Sequence, residues 1–143
     1  MAIGNVLLVD DEVPFVETMV KRLDKREAQI NTAFSGAEAL EKLGNIAGVE
    51  VVILDVKMPD MDGIETLREI KRRYPLVEVV MLTGHATVET AIEGIKLGAF
   101  DYLMKPCDME ILISKVSEAA SRKREQERKI VEARIKEIAM SRA

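Results

Sequence analysis

The sequence predicts an α/β domain in which five strands form a doubly wound parallel sheet covered on both faces by helices. Two observations predict it. Short apolar runs of strand length recur along the chain, and each is followed by apolar residues spaced along one helix face. Strands alternating with helices need crossover connections, which set the strands parallel and put the helices on the sheet's faces. The length, 143 residues, suits one domain with its own core.

Val6-Leu7-Leu8-Val9 is unbroken and apolar, as a strand buried on both faces requires. Val16, Met19, Val20 and Leu23 then follow at helical spacing. Ala28 to Ala33 alternates with Gln29 and Asn31, which suits a strand nearer the sheet edge. Ser35 and Glu38 form a capping box ahead of Ala39, Leu40 and Leu43, and Gly44 is placed to end that helix. Val51 to Leu54 is the third strand, followed by Ile64, Leu67 and Ile70. Val77 to Leu82 is the fourth, followed by Val88, Ala91, Ile92 and Ile95, with Gly98 as a stop. Ala99 to Leu103 is the fifth, and Asp108 caps a last helix carrying Leu112, Val116, Ala119 and Ala120.

Composition excludes several classes. Apolar residues at 48% and charged residues at 32% describe a globular chain, and a net charge of −4 argues against electrostatic binding of nucleic acid. Cys107 is the lone cysteine, so neither an internal disulfide nor a zinc cluster is available. No apolar run is long enough to span a membrane and the first residues lack a basic signal head, so a cytoplasmic setting is expected. Charge is unevenly spread. Residues 121–143 hold eight basic and four acidic residues, whereas residues 1–120 hold 13 basic and 21 acidic. The division expected is a body, 1–120, and a charged helical linker or tail, 121–143.

Sheets of this kind bind ligands beyond the carboxyl ends of their strands. The first strand runs into Asp10, Asp11 and Glu12, and the third into Asp55. The fourth runs into Thr83-Gly84 and the fifth into Lys105-Pro106. If the first and third strands are neighbours, Asp10, Asp11 and Asp55 converge, and their mutual repulsion calls for a hard dication such as Mg²⁺. A serine or cysteine nucleophile lacks a partner base, because His85 is the single histidine and Cys107 lies beyond a proline. Nucleotide-cradling glycine loops are missing from the sequence. A carboxylate attacking phosphorus remains, with Asp55 as nucleophile, Asp10 and Asp11 as chelating pair, and Thr83 and Lys105 stabilising the phosphoryl oxygens. His85 reads as a solvent or partner contact and Cys107 as a small packing residue.

The segments Val9-Asp10-Asp11-Glu12, Leu54-Asp55-Val56-Lys57-Met58-Pro59, Leu82-Thr83-Gly84 and Tyr102-Leu103-Met104-Lys105-Pro106 together resemble a bacterial two-component response regulator receiver domain over residues 4 to about 120. The stretches Leu82 to Ala91 and Gly98 to Tyr102 look most like receivers of NtrC-type enhancer-binding transcription activators. The resemblance implies a flavodoxin-like (βα)5 fold with strand order 2-1-3-4-5. It also implies transfer of a phosphoryl group to Asp55 from a sensor histidine kinase or phosphotransfer protein. By the same carry-over, Asp11, Asp55 and the Lys57 backbone carbonyl ligate Mg²⁺, Asp10 acts largely through water, and Lys105-Pro106 is cis.

On this reading phosphorylation draws Thr83 toward the new group and Tyr102 turns inward. The face made by the fourth helix, fifth strand and fifth helix is thereby remodelled to control an effector, with transcription the expected output. The chain would catalyse only its own phosphorylation and dephosphorylation. The alternative is a Mg²⁺-dependent phosphohydrolase with an aspartyl phosphate. Such enzymes place a second acid two residues after the nucleophile, where this chain has Lys57. A receiver that works without phosphorylation is a third reading, opposed by the full set of acids, hydroxyl and lysine. Every residue from Ser121 to Lys129 is polar, after which Val131, Ile135 and Ile138 return at helical spacing. The polar stretch is expected to be solvated or paired with another chain. A homodimer through either the remodelled face or this helix is the partner considered, and a fragment of a longer regulator is favoured over a stand-alone receiver.

Overall fold

The computed structural model describes residues 3–26 and 28–141, so residues 142 and 143 of the expected tail lie outside it. The strands are β1 (Gly4–Val9), β2 (Ala28–Ala33), β3 (Val51–Leu54), β4 (Glu78–Thr83) and β5 (Asp101–Met104). The helices are α1 (Val13–Asp24), α2 (Gly36–Asn45), α3 (Gly63–Arg73), α4 (Val88–Lys96) and α5 (Met109–Ser141). All neighbouring strands are parallel and the order is β2-β1-β3-β4-β5, a flavodoxin-like (βα)5 sheet. No helix among the described residues is long and apolar enough to cross a membrane.

The core lies in two layers, one on each face. Val16, Met19 and Leu23 of α1 and Leu112, Val116, Ala119 and Ala120 of α5 pack on one side with Val6, Leu8, Val51 and Ile53. Ala39, Leu40 and Leu43 of α2 and Ile64, Leu67 and Ile70 of α3 pack on the other with Leu7, Val9, Val52 and Leu54. Alternate residues of β1 and β3 feed opposite layers, which is why those strands are apolar throughout.

Three local expectations are revised. Gly44 lies inside α2, which runs to Asn45; a Cβ there would sit 3.3 Å from the Tyr74 hydroxyl, so the glycine makes room for that ring rather than ending the helix. β4 starts at Glu78 because the Val77 N–H is spent in a turn to the Tyr74 carbonyl. β5 starts at Asp101 because the Ala99 N–H closes the end of α4 on the Gly94 carbonyl. The apolar stripe of α4 is not core: Val88, Ile92 and Ile95 are exposed and only Gly94 of that helix is buried. The side-chain caps form as expected: Ser35 accepts from the Glu38 N–H at 3.1 Å and Asp108 from the Glu110 N–H at 2.8 Å. The capping box at Ser35 is only half made, because the Glu38 carboxylate takes the Phe34 N–H, one residue before the cap, instead of the Ser35 N–H.

Candidate functional site

The parallel register pairs Val9 with Leu54, so the residues that follow them, Asp10 and Asp55, leave the sheet side by side. The Asp10 N–H donates to the Ala33 carbonyl and the Asp55 N–H to the Val9 carbonyl, which extends the ladder by one residue and fixes both side chains at the rim. Asp10 and Asp55 are buried and Asp11 is exposed. One carboxylate oxygen from each of the three lies within 4.8 Å of the others. At that spacing each ionised pair repels by about 3–4 kcal/mol at an effective dielectric near 20.

Each buried acid spends one oxygen locally. Asp10 Oδ1 accepts from the Glu12 N–H at 2.9 Å and Asp55 Oδ1 from the Val56 N–H at 2.8 Å. Their second oxygens face Lys105, whose Nζ is 2.6 Å from Asp10 Oδ2 and 3.9 Å from Asp55 Oδ2; Glu12 Oε1 is 3.5 Å away. β5 delivers this lysine: the Lys105 N–H donates to the Thr83 carbonyl, and the peptide to Pro106 is cis. Burial pushes the Asp10 carboxyl above its ordinary value, against the opposing hydrogen bonds from Lys105 and Glu12. Burial works against the Lys105 ammonium, yet the hydrogen bond and charge of Asp10, with Asp55 and Glu12, hold its proton affinity above that of an ordinary lysine.

One ammonium among three aspartates leaves an excess of negative charge. An all-oxygen donor set of this kind fits a hard dication, Mg²⁺ foremost.

Thr83 is fully buried and its Oγ1 accepts from the His85 N–H at 3.0 Å. Tyr102 is half-buried, its ring beside Gly94 and its hydroxyl 2.7 Å from Thr90 Oγ1 in the first turn of α4. Lys57 keeps its side chain in solvent, as does His85. Cys107 packs at the edge of the α1–α5 layer, and burial pushes its thiol up, away from nucleophilic use.

Two residues that shape the site were not singled out in the sequence. Gly63 opens α3 directly beneath the site: its N–H donates to the Val56 carbonyl at 2.6 Å, and a Cβ would overlap the Asp55 carbonyl oxygen. The pair Asp62-Gly63 ahead of Ile64, Leu67 and Ile70 is the signal that marks it, since Asp62 caps α3 through the Glu65 N–H. Phe15 places its ring 3.9 Å from Lys105 Nζ, a contact between residues far apart in sequence that no local pattern announces.

Comparison with known proteins agrees with this geometry. The response regulator receiver domain family matches residues 6–117. The DNA-binding transcriptional regulator NtrC of Proteus hauseri is 36% identical over 123 residues, covering 86% of this chain and 26% of that protein. The transcriptional regulatory protein ZraR of Klebsiella oxytoca is 37% identical over 128 residues, covering 90% of this chain and 29% of that protein. The chain thus spans under a third of the length of these curated relatives. A response regulator receiver domain protein from Clostridium thermocellum superposes with a TM-score of 0.80 at 36% identity, over 85% of this chain and 97% of that one. NtrX from Brucella abortus gives 0.81 at 32% identity, over 94% of this chain and 30% of that one. The chain belongs to the response regulator receiver domain family, and within it resembles the receivers of NtrC-type two-component transcription regulators.

Proposed function

We propose that this signalling domain is a phosphorylation switch in which Asp55 accepts a phosphoryl group from a phosphohistidine on a sensor kinase or phosphotransfer protein. The observation that carries the proposal is the convergence of Asp10, Asp11 and Asp55 within 4.8 Å beside Lys105. The Val56 N–H holds Asp55 Oδ1, which leaves Oδ2, on the Lys105 side, as the oxygen that attacks phosphorus. The O–P bond forms as the P–N bond of the donor breaks, and the imidazole nitrogen keeps the electron pair and takes up a proton. Lys105 exchanges its carboxylate contact for a phosphoryl oxygen, and the Thr83 hydroxyl donates to another. Asp10, Asp11, Asp55 and the Lys57 carbonyl are the groups proposed to hold Mg²⁺, with Asp10 acting largely through water. The bound ion supplies charge neutralisation between carboxylates and phosphoryl oxygens.

Movement of Thr83 frees space behind α4. Tyr102, now tied to Thr90, then turns inward and α4 repacks, a shift made easy by how little of that helix is buried. Val88, Ile92 and Ile95, with Met104 and Ile111, supply exposed apolar surface on the α4-β5-α5 face. A second copy of the chain is the partner proposed for this face or for the stripe Val131, Ile135 and Ile138. The chain is read as a receiver, 1–120, with a helical linker, 121–143, from a longer cytoplasmic transcription regulator. Its own chemistry is limited to phosphorylation and dephosphorylation of Asp55, and it does not contact nucleic acid directly.

Incubation with acetyl phosphate and Mg²⁺, followed by intact mass, tests the reading. A single adduct that disappears in Asp55→Asn is expected. Turnover of unrelated phosphoesters without an adduct identifies the phosphohydrolase instead. Sedimentation as a strict monomer at high concentration, with and without the phosphodonor, removes the dimer.

A further inference from the structure

Lys105 is held by more than carboxylates. Its ammonium lies 3.9 Å from the centroid of the Phe15 ring, and the Lys105 side chain is only 14% exposed. Phe15 stands in the first turn of α1, just after Pro14, and is half-buried against the α1–α5 layer. Asp10, Glu12 and Phe15 therefore reach the same ammonium from one stretch of chain, two by charge and one by the face of a ring.

A carboxylate attracts the ammonium by taking one of its N–H donors, whereas a ring face attracts it mainly through the quadrupole. We infer that Phe15 is a positioning residue for phosphoryl transfer: its ring keeps the Lys105 ammonium at the rim while leaving hydrogen-bond donors for the oxygens that arrive on Asp55. Glu12, 59% exposed and 3.5 Å away, is a solvent-screened partner that cannot do this alone. The ring also covers the lysine on the α1 side, which keeps water from competing for it. This inference rests on Asp55 being the phosphoacceptor.

The experiment compares the full chain with Phe15→Leu, Phe15→Tyr and Phe15→Ala. With acetyl phosphate and Mg²⁺, adduct formation at limiting donor is expected to slow roughly three- to tenfold in the Leu and Ala variants and to stay within about twofold in Tyr. Thermal melting should follow a different order, with Leu close to the wild type and only Ala clearly lower, because apolar volume decides that property. In metal-free protein, proton NMR should show the Lys105 ε-methylene shifted upfield by the ring in the wild type and Tyr variant but not in Leu. A wild type that forms the adduct while Phe15→Leu matches its rate, or a wild type without the ring-current shift, overturns the inference alone. A wild type that takes no phosphoryl group overturns the functional reading along with it.

Discussion

The two ends of the β-sheet hold clusters of charge that are built in opposite ways. At the carboxyl end Asp10, Asp11 and Asp55 crowd together, and the Lys105 ammonium reaches Asp10 and Asp55 but not Asp11. At the amino end Glu50, just before β3, and Glu78, at the start of β4, meet three cations. Arg124 grips Glu50 at 2.5 and 2.9 Å, and Lys71 reaches Glu78 at 3.2 Å. Arg122 also stands 3.2 Å from Glu78 Oε2, a charge contact without hydrogen-bond alignment. The Asn5 N–H adds a further donor to Glu50. The acids respond in opposite directions: burial pushes Asp10 up, whereas the Arg124 hydrogen bond holds Glu50 down. A cluster in which every acid is met by a cation serves as an anchor, here fastening the start of the α5 extension to the body. A cluster with negative charge left over is ready for a cation and a reacting group.

Two glycines break the comparison most sharply. Gly63 lies against backbone at the site, since a Cβ would overlap the Asp55 carbonyl oxygen and stand 2.7 Å from the Val56 Cα. Neither can yield without moving the strand end. Gly63→Ala should cost about 3 kcal/mol in urea unfolding and also slow Asp55 phosphorylation. Gly4, at the other end, has φ +103°, and its obstacles are the far ends of Glu50 and Arg124, which can swing away. Gly4→Ala should cost about 1–2 kcal/mol, mainly for the backbone, and leave the adduct rate unchanged. A Gly4→Ala that slows phosphorylation as much as Gly63→Ala would show that the two ends are not independent.

A smaller effect separates the clusters by sign. In chelator at neutral pH, Asp10→Asn removes one of three crowded negative charges and should stabilise the fold by about 1 kcal/mol. The same change should reduce the rise in melting temperature produced by millimolar Mg²⁺. Destabilisation in chelator would mean that the Lys105 contact outweighs the repulsion, and that the carboxyl end is as well balanced as the amino end.

How legible each end was in the sequence follows from the same contrast. The carboxyl end could be read because strand and site are contiguous: Asp10, Asp55, Thr83 and Lys105 each stand at or just past an apolar run, and parallel pairing brings those positions to one rim. The amino end could not. Glu50, Glu78, Arg122 and Arg124 look like ordinary surface charges, and Ser121 to Lys129 was expected to be solvated or paired with another chain. The pairing spans 74 residues between Glu50 and Arg124, and nothing local announces it. Phe15 and Lys105 pose the same difficulty. Helical periodicity over α4 was legible, but burial of its stripe was not, because spacing reports a face without saying what covers it.

The smallest prediction tests the anchor itself. Arg124 is half-exposed, so solvent screens its pairing with Glu50, and Glu50→Gln should lower stability at neutral pH by only about 0.5–1 kcal/mol. The pH dependence is the sharper observable. The folded chain holds the Glu50 proton less tightly than the unfolded chain, so the stabilisation is fully present above the ordinary value of 4.5. As pH falls through the lowered folded value the carboxylate is neutralised and its contribution vanishes. Urea midpoints of wild type and Glu50→Gln should therefore converge on acidification, and amide exchange at residues 121–125 should speed up in the wild type over the same range. A gap that stays constant through the carboxylate range would mean that the charge on Glu50 does not hold α5 to the sheet, and that the helix is kept in line by Leu112, Val116 and Ala120 alone.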